Sequence, residues 1–156
     1  QVELYHPDAS VERWISEQVV KTAVDALAPT DLFVILGTPS HVGKNASSEE
    51  GVGKMLASAY PGIFRRPNDA RYGWGVLRME LDGLLVDIRH HGKLGQLPHT
   101  RESYQKRYAF DVWSSQAMYQ DGVPAQLAIR AHRHKFADSG PVPPHKTLTR
   151  LISLPC

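Results

Sequence analysis

The chain has 156 residues, which is long enough for one domain with a sizeable core and too short for two full-sized ones. Hydrophobic residues make up 42% and charged residues 22%, as in ordinary globular proteins, and no stretch approaches the ~20 apolar residues of a membrane span. The net charge of +2 indicates no partner, and the lone Cys156 excludes an intrachain disulfide and a cysteine-based zinc site. We therefore expect a cytoplasmic protein with no membrane partner.

The first part of the chain predicts a helix followed by a strand. Ser10 is a candidate N-cap. It precedes one apolar stripe at helical spacing, formed by Val11, Trp14, Ile15, Val19, Ala23 and Leu27, and Pro29 ends this helix. The continuous apolar run 32–36 predicts a strand buried on both faces, which stops at the loop 37–41.

A second helix and a hairpin are predicted next. Ser47 or Ser48 can cap a helix whose first turn carries two glutamates, where negative charge suits the helix dipole. After a loop at 61–72, the β-rich runs 74–81 and 84–90 are joined by Asp82-Gly83, the strongest short-range signal for a β-hairpin.

The remainder predicts a helix and two further strands. The helix runs from its cap at Thr100 to about residue 121, and the strands are expected at 126–131 and 147–154. Helices that alternate with buried strands are typical of a layered α/β fold, so we predict a single α/β domain over 1–156.

Histidines follow three of the predicted strands directly. The groups are His41, the pair His90-His91, and His132 with His134. Because ligands of open α/β sheets bind at the carboxyl ends of the strands, these groups could converge at one rim. Imidazole is the commonest side-chain metal ligand, and together with carboxylate it suits zinc, manganese or iron rather than calcium, so the pattern predicts a metal site.

The spacing within each group indicates which histidines share a site. Residues i and i+2 of an extended segment lie on the same face, so His132 and His134 can bind together. Adjacent residues lie on opposite faces, so in the pair His90-His91 one histidine would be a ligand and the other would support it.

Three basic clusters allow two interpretations. Arg65 with Arg66, a group around Lys106, and a group from Arg130 to Lys135 can attract an anionic substrate or simply form solvated surface.

At this point the chain resembles the calcineurin-like metallophosphoesterases. The loop 37–41, His91-Gly92 and the segment 131–134 match the third, fourth and fifth motif blocks of that family in order. The likeness is greatest to a phage and bacterial branch with Gly-Thr-x-x-His, His-His-Gly and a final block like residues 130–139. It covers roughly residues 10–155, and it would place the protein in the cytoplasm of a bacterial host if the chain is phage-derived.

The resemblance implies a metal-dependent phosphoesterase with a metallophosphoesterase-like β-sandwich flanked by helices. Two divalent ions (Mn, Fe or Zn) would act on a phosphomonoester or phosphodiester. His91, or alternatively His90, would bind one ion with His132, and His134 would bind the other. The implied roles of the remaining residues are leaving-group protonation by His41, phosphate binding by Arg133 or Arg130, and orientation of a histidine or capping of a turn by Asp138.

Two motif blocks of the family do not occur in the chain. Neither Asp-x-His nor Gly-Asp-x-x-Asp is present between residues 1 and 156. These blocks supply most ligands of one metal and the carboxylate that bridges the pair. We therefore expect this chain to be the C-terminal part of a domain, incomplete at its N-terminus, with the missing carboxylates supplied by a preceding segment or by a second polypeptide.

Two other functions remain open. The basic clusters alternate with aromatic residues, which would suit a nucleic-acid-binding or nuclease component of a phage or mobile element; these aromatics are Tyr72, Trp74, Tyr104 and Tyr108. The absent carboxylate blocks would instead suit a catalytically inactive scaffold that serves as an interaction module.

Overall fold

The computed structural model describes residues 9–37, 47–91, 101–119, 123–131, 136–140 and 149–154. Its contacts fall into two compact units, Gln1–Trp74 and Gly75–Cys156. The single domain expected over 1–156 stays a prediction.

The first unit contains the two predicted helices, α1 (Ala9–Leu27) and α2 (Ser47–Ala59). Its core forms where Val24 of α1 and Leu56 of α2 meet Phe64. The apolar stripe predicted for α1 is not the buried side, because its members Trp14, Ile15, Val19 and Leu27 are exposed. Val24 and its neighbour one turn earlier, Val20, pack into the core instead.

The run 32–36 is extended, as predicted, but it is not a sheet strand buried on both faces. Its residues are half-buried, and it forms only isolated parallel bridges, Leu32 with Phe64 and Ile35 with Trp74. The reason lies in its partners. Residues 63–65 and 74 each offer only a short piece of backbone, so the hydrogen bonds from Leu32 N to Ile63 O (2.9 Å) and from Leu36 N to Trp74 O (2.9 Å) do not extend into a ladder.

The second unit begins with the predicted hairpin. Strands β1 (Leu77–Leu81) and β2 (Leu84–Arg89) pair antiparallel. Asp82 and Gly83 both have positive φ, 50° and 78°, as a two-residue turn of the mirror-image type requires. The aspartate-glycine signal in the sequence therefore gave the correct turn.

A helix and three more strands complete this unit: α3 (Arg101–Tyr119), β3 (Leu127–Arg130), β4 (Ala137–Asp138) and β5 (Arg150–Ser153). The sheet has the order β1-β2-β3-β5-β4, in which β2, β3 and β5 run parallel and the outer strands are antiparallel to their neighbours. Ala109 and Val112 of α3 pack against Ala128 and Leu151 of the sheet. The predicted α/β class is confirmed, and the two-residue strand β4 is an addition to it.

None of the helices in the described ranges combines the length and the apolar character needed to cross a membrane.

The close approach of α2 to the loop around Tyr72 makes Gly53 a testable position. A Cβ on Gly53 would lie 2.6 Å from the Tyr72 carbonyl oxygen and 2.8 Å from its Cβ. Alanine favours a helix over glycine by about 1 kcal/mol, but overpacking against fixed backbone costs about 1–3 kcal/mol. We expect Gly53→Ala to lower the free energy of unfolding, measured by chemical denaturation, by about 1–2 kcal/mol.

Gly62→Ala is the matched control, because a Cβ on Gly62 meets no atom within 4 Å. It should leave the free energy of unfolding within about 0.5 kcal/mol of the original value. A stabilised Gly53→Ala variant would show that α2 and the loop do not pack as described.

Candidate functional site

The carboxyl ends of β2, β3 and β5 lie side by side at one edge of the sheet. In the parallel register, Arg89 of β2 is paired with Arg130 of β3. Arg130 is in turn paired with Ser153 of β5. Two backbone hydrogen bonds continue this alignment beyond the strands, from Ala131 N to His90 O (3.1 Å) and from Leu154 N to Arg130 O (2.7 Å). The residues that follow β2 and β3 therefore start from neighbouring positions.

Of the predicted metal ligands, the structure describes only the histidine pair after β2. His90 is half-buried at the bend after β2, and His91 is exposed. The other predicted site histidines, His41, His132 and His134, lie outside the described residues, as does Arg133. No group of three histidine, cysteine or acidic side chains that could hold a metal ion occurs within the described ranges.

A buried ionic cluster lies directly before this edge, centred on Asp87 of β2. The Asp87 carboxylate is fully buried, and its Oδ1 lies 2.6 Å from Nη2 of Arg130, whose side chain is 1% exposed. Arg89 binds both carboxylate oxygens at 3.0 Å through Nε and Nη2. Gln116 of α3 donates its Nε2 hydrogen to Oδ2 at 3.0 Å.

The strand geometry explains why these groups meet. Asp87 and Arg89 are two residues apart on β2 and so share a face of the sheet. Arg130 lies on the same face because it is the register partner of Arg89 on the adjacent strand. The alternation of side chains along β2 and the parallel pairing of β2 with β3 thus place two guanidinium groups around one carboxylate.

The cluster carries an excess of positive charge. Two arginines surround one aspartate, which leaves a formal charge of +1 on the three side chains. Arg130 is enclosed, and its Nη1 also donates to the backbone oxygens of Asp87 (2.9 Å) and Ile129 (2.8 Å). Arg89 is the more accessible cation, with 30% of its side chain exposed. These contacts favour a structural role for Arg130, whose predicted part in phosphate binding stays a prediction.

Helix α3 is held on the sheet by two buried glutamines. Besides binding Asp87, Gln116 accepts a hydrogen bond through Oε1 from Ala125 N at 2.8 Å. Gln105 donates through Nε2 to Ser153 Oγ at 2.7 Å. Polar contacts thus fix the helix at both sides of the small apolar core.

Asp138 occupies strand β4 and forms an ion pair with Arg150 of β5, with Oδ2 2.6 Å from Nη2. Its Oδ1 accepts a hydrogen bond from Gly140 N at 2.9 Å, so the described contacts match the turn-capping alternative. Hydrogen bonds from Arg150 lower the pKa of the Asp138 carboxyl below its ordinary value, against a smaller opposing effect of desolvation.

The sequence interpretation missed Asp87, Arg89 and Gln116. A usable signal was present, since Asp87 interrupts the apolar run 84–88, and a charge within a buried strand requires a partner. The sequence did not indicate which of the basic residues would provide that partner.

Replacing the central carboxylate tests the ionic cluster. Asp87→Asn keeps the shape of the side chain but leaves the buried guanidinium of Arg130 without a counter-charge. We expect the free energy of unfolding to fall by about 3–5 kcal/mol, as measured by chemical denaturation.

Asp82→Asn is the control, because Asp82 is exposed and asparagine tolerates its positive φ equally well. It should change the free energy of unfolding by less than about 0.5 kcal/mol. A loss of less than about 1 kcal/mol in Asp87→Asn would contradict a closed, water-excluding cluster.

The Asp138–Arg150 pair predicts a dependence on pH. Because folding lowers the pKa of Asp138, the folded state is stabilised above the unfolded-state pKa, near 3.8, and this contribution is lost as pH falls through the lower folded-state pKa. Arg150→Gln should raise the pKa of Asp138, measured by NMR titration of its side-chain carboxyl.

Glu80→Gln removes one exposed charge from β1, at the opposite edge of the sheet from β4, and should leave the pKa of Asp138 unchanged. An unchanged Asp138 titration in Arg150→Gln would mean that the ion pair is not maintained in solution.

No protein-family model, curated protein or solved structure matches the chain. Membership of the calcineurin-like metallophosphoesterases therefore stays a prediction that depends on the sequence motifs.

Proposed function

We propose that this chain contributes to a metal-dependent phosphoesterase whose site lies at the edge of the sheet where β2 and β3 end. The observation that carries the proposal is the hydrogen bond from Ala131 N to His90 O. It brings the backbone of the histidine pair beside the residue that precedes His132. Two of the three histidine groups thus follow from adjacent positions, as a shared metal site requires.

The electrostatics at this edge support an anionic substrate. The cluster of Asp87, Arg89 and Arg130 has a formal excess of one positive charge, and its two arginines are the last residues of the two strands. The partly exposed guanidinium of Arg89 can attract a phosphoester without losing its structural contact, since arginine offers five N–H donors.

The donor chemistry fits divalent metal ions such as Mn²⁺, Fe²⁺ or Zn²⁺. His91, with His90 as the alternative, and His132 would hold one ion, and His134 would hold the other. Metal ions in such a pair polarise the phosphate and lower the pKa of water. His41 would donate a proton to the leaving oxygen, and Arg133 would bind the phosphate.

The carboxylates of such a site come from elsewhere in this proposal. Both oxygens of Asp87 are engaged by arginines and by Gln116, which makes it unsuitable as a metal ligand. The Asp-x-His and Gly-Asp-x-x-Asp blocks would be supplied by a preceding segment or a second polypeptide. The five-stranded sheet with α3 on one face would form one layer of the expected β-sandwich.

Packing gives less support to nucleic-acid binding. Tyr72 packs against the core of the first unit and Tyr108 against that of the second, and both are half-buried. Trp74 and Tyr104 are half-buried. Stacking of bases requires accessible aromatic faces, so the metal-dependent hydrolase is the better-supported proposal.

Metal titration tests the proposed ligands. We expect Mn²⁺ or Zn²⁺ to bind this chain, and His91→Ala and His132→Ala each to weaken binding at least tenfold, since even a hydrogen-bond partner of a ligand contributes about that much. Calorimetric titration measures the affinity and the stoichiometry. If His90→Ala has the effect expected of His91→Ala, His90 is the ligand.

His145→Ala is the control, because His145 follows a proline pair and does not directly follow any of the predicted strands. Equal affinities in all variants, or no metal binding at millimolar concentrations, would contradict the proposed site and favour an inactive scaffold.

Hydrolysis of bis(p-nitrophenyl) phosphate with Mn²⁺ should require a segment carrying the two absent blocks, and His132→Ala should abolish it.

A further inference from the structure

The first unit contains a groove of about 400 Å³ beside the second half of α2. Lys54 and Ser58 of α2 lie along one side, and Arg66 and Tyr72 of the following loop also line the groove. The volume is within the range of pockets that hold small organic ligands, about 300–1,000 Å³. It is large enough for a molecule of nucleotide size.

The groove has two cationic lining residues and no acidic one, among the residues that the structure describes. Lys54 is exposed, and the described residues form no ion pair or hydrogen bond with its ammonium group. Arg66 is held in place by three contacts: its guanidinium carbon lies 4.1 Å from the Tyr72 ring centroid, Nη2 donates to Ala70 O (3.1 Å), and Nε donates to Arg71 O (3.4 Å). This cation is therefore oriented before a ligand arrives.

The rest of the lining is apolar. Ala57 and Pro61 line the groove together with Phe64, a core residue that is only 7% exposed. Phe64 is anchored because its N–H donates to Tyr60 O at 3.0 Å. The groove thus combines an apolar surface with a cationic one, which suits a ligand with one apolar part and one anionic part.

Two acidic residues near the groove, Glu50 and Asp25, keep their negative charge but do not line it. Glu50 accepts a hydrogen bond from Tyr72 N at 2.7 Å, and Asp25 accepts one from Tyr60 Oη at 2.7 Å. The carboxyl end of α2 contributes roughly half a unit of negative charge. Within the lining itself, the two full positive charges of Lys54 and Arg66 outweigh that contribution.

We propose that this groove binds an organic phosphate monoester, with the phosphate between Lys54 and Arg66 and an aromatic or apolar group against Pro61 and Phe64. A phosphate dianion balances the two cations, and a guanidinium matches its oxygens in two-point hydrogen bonds. This site is separate from the histidine groups and does not depend on the proposed hydrolysis.

Titration with adenosine monophosphate, followed by amide chemical-shift changes in NMR spectra of the full chain, tests this site. We expect saturable shifts confined mainly to residues 54–72. Lys54→Gln and Arg66→Gln should each raise the dissociation constant about tenfold or more, because each removes a charge-assisted contact. Adenosine and inorganic phosphate, each offering one part of the ligand, should both bind more weakly than the monophosphate.

Arg71→Gln is the matched control, since Arg71 is an exposed arginine of the same loop that is paired with Asp69 and does not line the groove. It should leave the dissociation constant unchanged. If adenosine binds as tightly as the monophosphate, the cations have no role in binding. If inorganic phosphate binds as tightly, the apolar lining of Ala57, Pro61 and Phe64 has none. No saturation at millimolar concentrations, or an equal loss in Arg71→Gln, would overturn the site itself.

Discussion

The second unit depends on one buried carboxylate that two arginines share. Asp87 is fully enclosed, and an isolated charge there would be costly, so the fold must place Arg130 and Arg89 around it. The contact to Arg130 joins β2 to β3, and the contact to Gln116 joins both strands to α3. Because these bonds connect three elements at one point, they fix the register that aligns the strand ends.

That register determines what the edge of the sheet can do. A shift of one residue between β2 and β3 would move Arg130 to the opposite face and separate it from Asp87. The same shift would remove Ala131 from the carbonyl of His90. The ionic cluster therefore stabilises the arrangement on which the proposed metal site depends, and its excess positive charge suits a phosphate ester nearby. The cluster has no carboxylate to spare for a metal, which agrees with a site completed by another segment.

Local signals in the sequence predicted the elements well, and long-range contacts account for what it missed. Asp82-Gly83 specified its turn because few residue pairs accept two positive φ angles. The stripe from Trp14 to Leu27 had helical spacing, but spacing alone does not decide which side of a helix meets α2, and Val20 and Val24 are buried instead. The run 32–36 is hydrophobic enough for a central strand, but it pairs only with short stretches of backbone, at Phe64 and Trp74. Asp87 and Arg130 are 43 residues apart in the chain and meet only because β2 and β3 pair in one particular register. No local sequence pattern encodes that register.

In the proposed site, the histidines after β2 and β3 bind one metal ion together. Anomalous X-ray scattering from crystals of the full chain soaked with Zn²⁺ would locate that ion. The proposal predicts an anomalous peak at the edge where these strands end, about 2.1 Å from an imidazole nitrogen of His132 and from one of His91 or His90. A peak bound to other residues alone, or no peak at this edge in crystals whose metal uptake is verified, would contradict it.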